Sequence, residues 1–281
     1  IMKFKKVVII GMGLIGGSIG KALIKRAIAE EVVGVCRRES SLDRAVKQRS
    51  LTKGFVNDYE KALPGADVVI IATPVKTVKT VLKDISGVIS GAGALVTDVG
   101  STKKEIVEYA KKFKDDFSFV GAHPLAGSEK TGVEHSSAEI FTGSLCVLTR
   151  NGSTPPQALE RIKGLWEAMG ARVNVITPDE HDEVLSMVSH LPHMVAYALA
   201  GTLQKKDAAY AASGFKDTTR IASSDPLLWS DIFLSNRENV LKSVEKFKRI
   251  LAGLEKDIKD NNKAGLEDKL KACKGSRNGM F

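Results

Sequence analysis

Residues 7–20 read "VVIIGMGLIGGSIG", and this stretch limits the fold more than any other. Four consecutive β-branched residues make a strand buried on both faces. Gly11-x-Gly13-x-x-Gly16 follows at once and opens a helix expected over 14–29. Gly11 permits the tight turn, Gly13 lets backbone approach a pyrophosphate, and Gly16 lets helix and strand pack closely. The helix N-terminus then faces the anion. Glycines at this spacing occur in many turns, but between a strand and a helix they indicate a dinucleotide site.

The alternation continues. Further strands are expected at 32–35, 67–72, 94–98 and 117–120, with helices over 42–48 and 75–82. Another helix should begin at Ser101 or Thr102, where Thr102 and Glu105 have capping-box spacing. Two more strands, Leu145–Thr149 and Arg172–Ile176, flank a helix over 155–169 and should extend the same sheet. Buried strands joined by helices imply an α/β, Rossmann-type parallel sheet covered on both faces. After Thr177-Pro178 the strand signal stops and a helical pattern runs to about residue 261. The reading is a dinucleotide-binding domain over 1–177 and an all-α domain over 178–281. The helix at 194–203 is apolar nearly all round, which suggests burial, with another subunit as the cover. The last twenty residues are polar and mixed in charge and are expected to be loosely ordered.

Composition removes several classes. A chain of 281 residues with 43% hydrophobic content can build more than one domain. No apolar run approaches the roughly 20 residues that span a bilayer. The basic start leads into an apolar run of only Val7 to Ile10, with no cleavage site, so no signal peptide is expected. Cys36, Cys146 and Cys273 lie far apart and make neither a disulfide framework nor a metal set, which points to a reducing, cytoplasmic setting. The net charge of +9 is spread along the chain without aromatic interleaving, so nucleic acid is not the expected partner. A basic surface could instead steer an anionic small molecule.

An NAD site would carry an acid about 20 residues past the glycines, at the tip of the second strand. Here Cys36 is followed by Arg37 and Arg38. Guanidinium forks match phosphate oxygens, so a 2′-phosphate and NADP are favoured, with NAD possible. The cofactor set is Gly11, Gly13, Leu14, Ile15, Gly16, Arg37, Arg38, Thr73 and Pro74.

In open α/β sheets, ligands bind outside the carboxyl ends of the strands. The ends at Thr73-Pro74, Gly100-Ser101 and Ala122-His123 should share that edge, which places His123, in a loop beside Pro124 and Gly127, where nicotinamide and substrate would meet. Ser101 is either a helix cap or a substrate contact. In "SHLPH", His190 and His193 share a helical face if the proline sits at a helix start, but no third ligand has matching spacing, so no metal is expected. Lys216 and Arg220 lie four apart in "GFKDTTR", suited to clamping carboxylates.

These segments together resemble the prephenate dehydrogenase family, which includes arogenate and cyclohexadienyl dehydrogenases. The likeness runs through "GMGLIGGSIG", "TDVGSTK", "GAHPLAGSEKTG", "VSHLPH" and "GFKDTTRIASSDPLLWSDIF", in that order, across residues 5–255. It implies oxidative decarboxylation of prephenate or arogenate in tyrosine biosynthesis. His123 matches the family's catalytic histidine, and Ser101 the serine that orients the substrate hydroxyl. Arg220 and Lys216 match cations near the substrate carboxylates. His193 and Ser189 fall on a pocket-lining helix, and Glu129 matches a residue near the pocket entrance. The resemblance also implies a helical dimerisation domain and a homodimer. Arg37-Arg38 departs from the NAD-using pattern. Two other readings compete: a two-domain hydroxy-acid dehydrogenase with a catalytic lysine, and a dinucleotide sensor without turnover.

Overall fold

The computed structural model describes residues 3–89, 94–127 and 130–279. Eight strands form one sheet: β1 (Phe4–Ile10), β2 (Ala29–Cys36), β3 (Lys53–Val56), β4 (Val68–Ile71), β5 (Leu95–Asp98), β6 (Ser118–Leu125), β7 (Leu145–Thr149) and β8 (Arg172–Ile176). Their order is β3-β2-β1-β4-β5-β6-β7-β8, and every pair is parallel except β6 with β7. The chain leaves β1 in one direction and returns on its other side at β4, so a crevice opens between their carboxyl ends.

Six helices cover the sheet: α1 (Leu14–Lys25), α2 (Glu39–Lys47), α3 (Tyr59–Ala62), α4 (Val75–Ile89), α5 (Lys104–Ala110) and α6 (Pro156–Ala168). Side chains alternate faces along a strand. Val7 and Ile9 therefore join one core with Ile19, Leu23, Leu42, Ile162 and Trp166. Val8 and Ile10 join the other with Val78, Leu82, Ile85 and Ile106. The all-buried strand runs in the sequence are the result of two cores, one on each face.

Several boundaries differ from the sequence reading. α1 stops at Lys25 rather than 29, because Ala27 turns into positive φ and β2 already begins at Ala29. β3 and α3 carry too few apolar residues to announce themselves. The proposed capping box does not form. α5 begins at Lys104, its N-cap Lys103 has no side-chain cap, and Thr102 Oγ1 is buried with no hydrogen-bond partner among the described residues. The orphan N–H groups of Lys103 and Lys104 are met from the helical region by Asp182 (2.8 and 3.0 Å).

β6 is the consequential difference. It runs to Leu125 and pairs with β5 only as far as Val120. Gly121 to Leu125 continue antiparallel to β7. Gly121 and Pro124 resemble strand breakers in sequence. With no β5 alongside, however, one edge of β6 is free, and an edge tolerates proline.

Beyond Ile176 the chain is helical: α7 (Pro178–Leu185), α8 (Leu191–Thr202), α9 (Ser213–Thr219), α10 (Pro226–Ser235), α11 (Arg237–Lys259) and α12 (Lys263–Asn278). α7 and α8 are joined by a π-helical turn, Ser186–His190, just before Pro192, whose missing N–H relaxes the ladder there. The resulting continuous helix, Pro178–Thr202, is long and apolar enough by length and composition to cross a membrane. Sequence reading missed this because Asp179, Glu180, Asp182 and Glu183 interrupt the apolar run. Residues along its first half pack into the protein: Pro178, His181, Asp182, Leu185, Ser186 and His190 are buried. Of α8, only Ala196 is buried within the chain, so the burial expected for this helix is not supplied by its own fold. The tail expected to be loosely ordered is α12. Asn262 caps it through Gly265 N (3.1 Å), and Lys269 pairs with Asp257 of α11.

Gly20 tests how closely α1 packs. A Cβ there would lie 1.8 Å from the Ser50 carbonyl oxygen, which is backbone and cannot swing aside. Gly20→Ala is expected to lower the unfolding free energy by about 1–3 kcal/mol in chemical denaturation, the usual cost of overpacking.

Candidate active site

Strand register fixes which residues share the carboxyl edge. Ile10 is level with Ile71, Ile71 with Asp98, and Thr97 with Val120. Two to three residues past those pairs come Met12, Thr73, Gly100 and His123, at the carboxyl ends of four neighbouring strands. Strands are about 4.8 Å apart, so His123 lies three strands, or about 14 Å, from the glycine turn. That span suits a dinucleotide with its pyrophosphate at β1 and its nicotinamide toward β5 and β6.

The glycine turn fits such a ligand. Gly11 has φ +98°, and a Cβ on Gly16 would meet the Gly11 carbonyl oxygen at 2.0 Å, so neither position accepts a side chain. Gly13 faces open space and is the N-cap of α1 without any side-chain cap. The first N–H groups of α1, with Leu14 and Ile15 as its first residues, are left to an anion, an arrangement worth about 0.3–1 kcal/mol. At the end of β4, Thr73 Oγ1 is buried with no partner among the described residues, and Pro74 is exposed. Arg37 and Arg38 are exposed at the tip of β2.

His123 is half-buried and stands on the part of β6 that outruns β5. It lies on a strand, not in the expected loop, and is held by β7 opposite Val147. Its Nδ1 is 2.9 Å from Nε2 of His181 on α7, and His181 Nδ1 is 2.8 Å from Asp182 Oδ1. Burial holds the His123 imidazole well below its ordinary range, helped by the nearby His181, Lys103 and His190, so the ring is neutral. Burial likewise lowers His181, against the opposing pull of Asp182.

Beneath these rings lies a fully buried ion pair, Lys103 with Asp98. Asp98 also accepts from Gly100 N (2.8 Å) and from Ala122 N (3.4 Å), which ties the β5–α5 turn carrying Ser101 to the β6 segment carrying His123. Ser101 is half-buried in that turn and is not the helix cap.

The two histidines of "SHLPH" come together on Trp229 of α10. His193 stacks on the indole with centroids 3.5 Å apart, and His190 meets it edge-on. His190 is buried, pushed down to about 4 by burial, and contacts Asn236 Nδ2 (3.2 Å), which also donates to the Asp182 carbonyl (2.6 Å). His193 donates from Nδ1 to the Ser189 carbonyl (2.9 Å); burial lowers its titration against the pull of that hydrogen bond, and the charge of Arg220 lowers it further. Arg220 therefore lies near His193. It is exposed and caps the C-terminus of α9 where a 3₁₀ turn begins, four residues beyond the exposed Lys216. Glu129 lies outside the described residues. Among the described residues no three His, Cys, Asp or Glu side chains cluster as metal ligands.

Sequence reasoning missed His181, Asp182, Asn236 and Trp229. The acidic run 179–183 reads as a solvated face, yet Pro178, His181, Asp182 and Leu185 are buried at helical spacing. That periodicity was the available signal.

A doubly wound dinucleotide sheet, with a histidine at its carboxyl edge and a helical region supplying further imidazoles, defines a nicotinamide-dependent dehydrogenase. The family models sharpen this. Residues 19–175 match the prephenate dehydrogenase nucleotide-binding domain, and 177–272 match the prephenate dehydrogenase dimerization domain. The chain belongs to the prephenate dehydrogenase family. Prephenate dehydrogenase from Bacillus subtilis is 34% identical over 98% of this chain and 76% of its own length. The structure of the A. aeolicus prephenate dehydrogenase, in complex with hydroxyphenyl propionate and NAD+, is 36% identical, with a TM-score of 0.91 over 100% of this chain and 99% of that one. Synechocystis arogenate dehydrogenase is 28% identical, with a TM-score of 0.83 over 98% of this chain and 100% of that one.

The buried pair under the site has a measurable consequence. Lys103→Met leaves Asp98 buried without its cation and is expected to cost about 3–5 kcal/mol of stability in chemical denaturation. Adding Asp98→Asn should recover part of that loss.

Proposed function

We propose that the chain oxidises and decarboxylates prephenate or arogenate with NAD(P)+, working as a cytoplasmic homodimer in tyrosine biosynthesis. The observation that carries this reading is a neutral His123 imidazole at the carboxyl edge of the sheet, which it shares with the ends of β1, β4 and β5. Residues 1–177 hold the dinucleotide, and 178–281 supply the substrate pocket and the subunit interface. The apolar α8 surface, with exposed Val188 just before it and exposed Leu227 and Leu234 on α10, is the surface offered to a second subunit.

The bound nicotinamide supplies the hydride acceptor. His123 accepts the proton of the ring 4-hydroxyl as hydride leaves C4 and the hydroxyl becomes a carbonyl. Carbon dioxide then leaves C1, its bonding electrons complete the aromatic ring as a phenolate, and the His123 imidazolium returns the proton to that oxygen, so the net products are a phenol, CO2 and the reduced nicotinamide. Ser101, on the turn fixed by Asp98 and Lys103, orients the hydroxyl. Arg220 holds a substrate carboxylate beside His193, with Lys216 and Ser189 in supporting roles, and Glu129 is assigned to the pocket entrance. The burial of His123 keeps it a proton acceptor at pH values where a free imidazole would already be charged. The hydroxyphenyl acid bound by the A. aeolicus relative has the kind of phenol this reaction releases.

Arg37 and Arg38, exposed with no acid at the tip of β2, favour NADP+ over NAD+. One assay with both substrates and both cofactors decides this. A higher kcat/KM with NAD+ would refute the preference, and replacing both arginines by serine should cost about tenfold or more with NADP+ alone.

For the chemistry, His123→Asn is expected to lower kcat by about a hundredfold or more with substrate KM nearly unchanged. Arg220→Ala should raise substrate KM sharply. Wild-type turnover in the first variant would remove the base, and an unaltered KM in the second would remove the clamp.

A further inference from the structure

The hydrogen-bond chain behind His123 decides which of its nitrogens can accept a proton. Asp182 Oδ1 accepts from Lys103 N (2.8 Å) and Oδ2 from Lys104 N (3.0 Å). A carboxylate whose oxygens already face N–H donors is an acceptor, so His181 Nδ1, 2.8 Å from Oδ1, carries the hydrogen. A neutral imidazole has one N–H, which leaves His181 Nε2 as a lone pair. That lone pair is 2.9 Å from His123 Nδ1, which must then donate. By the same rule the lone pair of His123 is on Nε2.

We propose that His181 and Asp182 are positioning residues that hold His123 as its Nδ1–H tautomer and so make Nε2 the proton-accepting atom. The proposal rests on the reading of His123 as the base. Neither residue lies in the five motifs quoted for the family resemblance, and both come from α7 while His123 belongs to the sheet. The base is therefore completed only when the two regions dock. Asn236 secures the far side of α7 through the Asp182 carbonyl (2.6 Å). The charged and titratable groups facing the two rings are Asp98, Lys103, Asp182 and His190, with the buried Cys146 thiol beside them. Burial disfavours the doubly protonated His181, whose Nε2–H would donate to His123 Nδ1 and reverse that one bond while Nδ1–H still met Asp182.

The test uses the full chain labelled with 15N-histidine, in neutral buffer without ligand, with His123→Asn assigning the signals. A protonated Nδ1 and an unprotonated Nε2 on His123 are expected, and the opposite pattern overturns the proposal. Asp182→Asn keeps an oxygen for the α5 N–H groups but can present an amide N–H to His181. It should lower kcat about tenfold or more, leave KM within about twofold, and shift His123 toward Nε2–H. His181→Gln, whose carbonyl can accept from His123, should retain about tenfold more turnover than His181→Leu. Unchanged kcat in Asp182→Asn, or equal turnover in the two His181 variants, also overturns it. If Asp182→Asn fails to fold, the wild-type spectrum decides. An Nδ1–H ring together with full turnover in His123→Asn would remove the base assignment while the tautomer assignment stands.

Discussion

The carboxylate of Asp182 is the point on which the active-site architecture turns. One side chain satisfies the two uncapped N–H groups at the start of α5 and holds His181 against His123. A helix N-terminus buried without such a partner would be costly. The same contact thus closes the helix that follows β5, docks α7 on the sheet, and orients the His123 ring. Lys103 contributes twice, donating its backbone N–H to Asp182 and its ammonium to Asp98.

The sheet provides the second constraint. Because β6 outruns β5 and leans on antiparallel β7, its last five residues stand clear of the parallel ladder. His123 there is half-buried. Burial enough to keep the ring neutral and access enough to reach a ligand are opposing demands. A strand with one free edge meets both.

Legibility in the sequence followed the range of the interactions. The glycine turn, β7, β8 and the two-face burial of the central strands were readable because local periodicity and turn chemistry specify them. His123 was singled out by its position after a strand. Its surroundings were misread as a loop, because the pairing that keeps Gly121 and Pro124 in a strand comes from residues 145–149. The Thr102–Glu105 capping box failed for a similar reason: a carboxylate nearly eighty positions away takes its place. α12, expected to be loose, is fixed by Asp257 and Asn262 at its start.

By itself the sequence determined the class of fold, the dinucleotide turn and the family, because each depends on residues close together in the chain. Only the tertiary structure decided what stands against His123 Nδ1 and what holds the ring there. That depends on His181 and Asp182, which sit in a run of acids resembling solvated surface. Their chemistry is set by burial against distant strands, a quantity that no local pattern of residue types encodes.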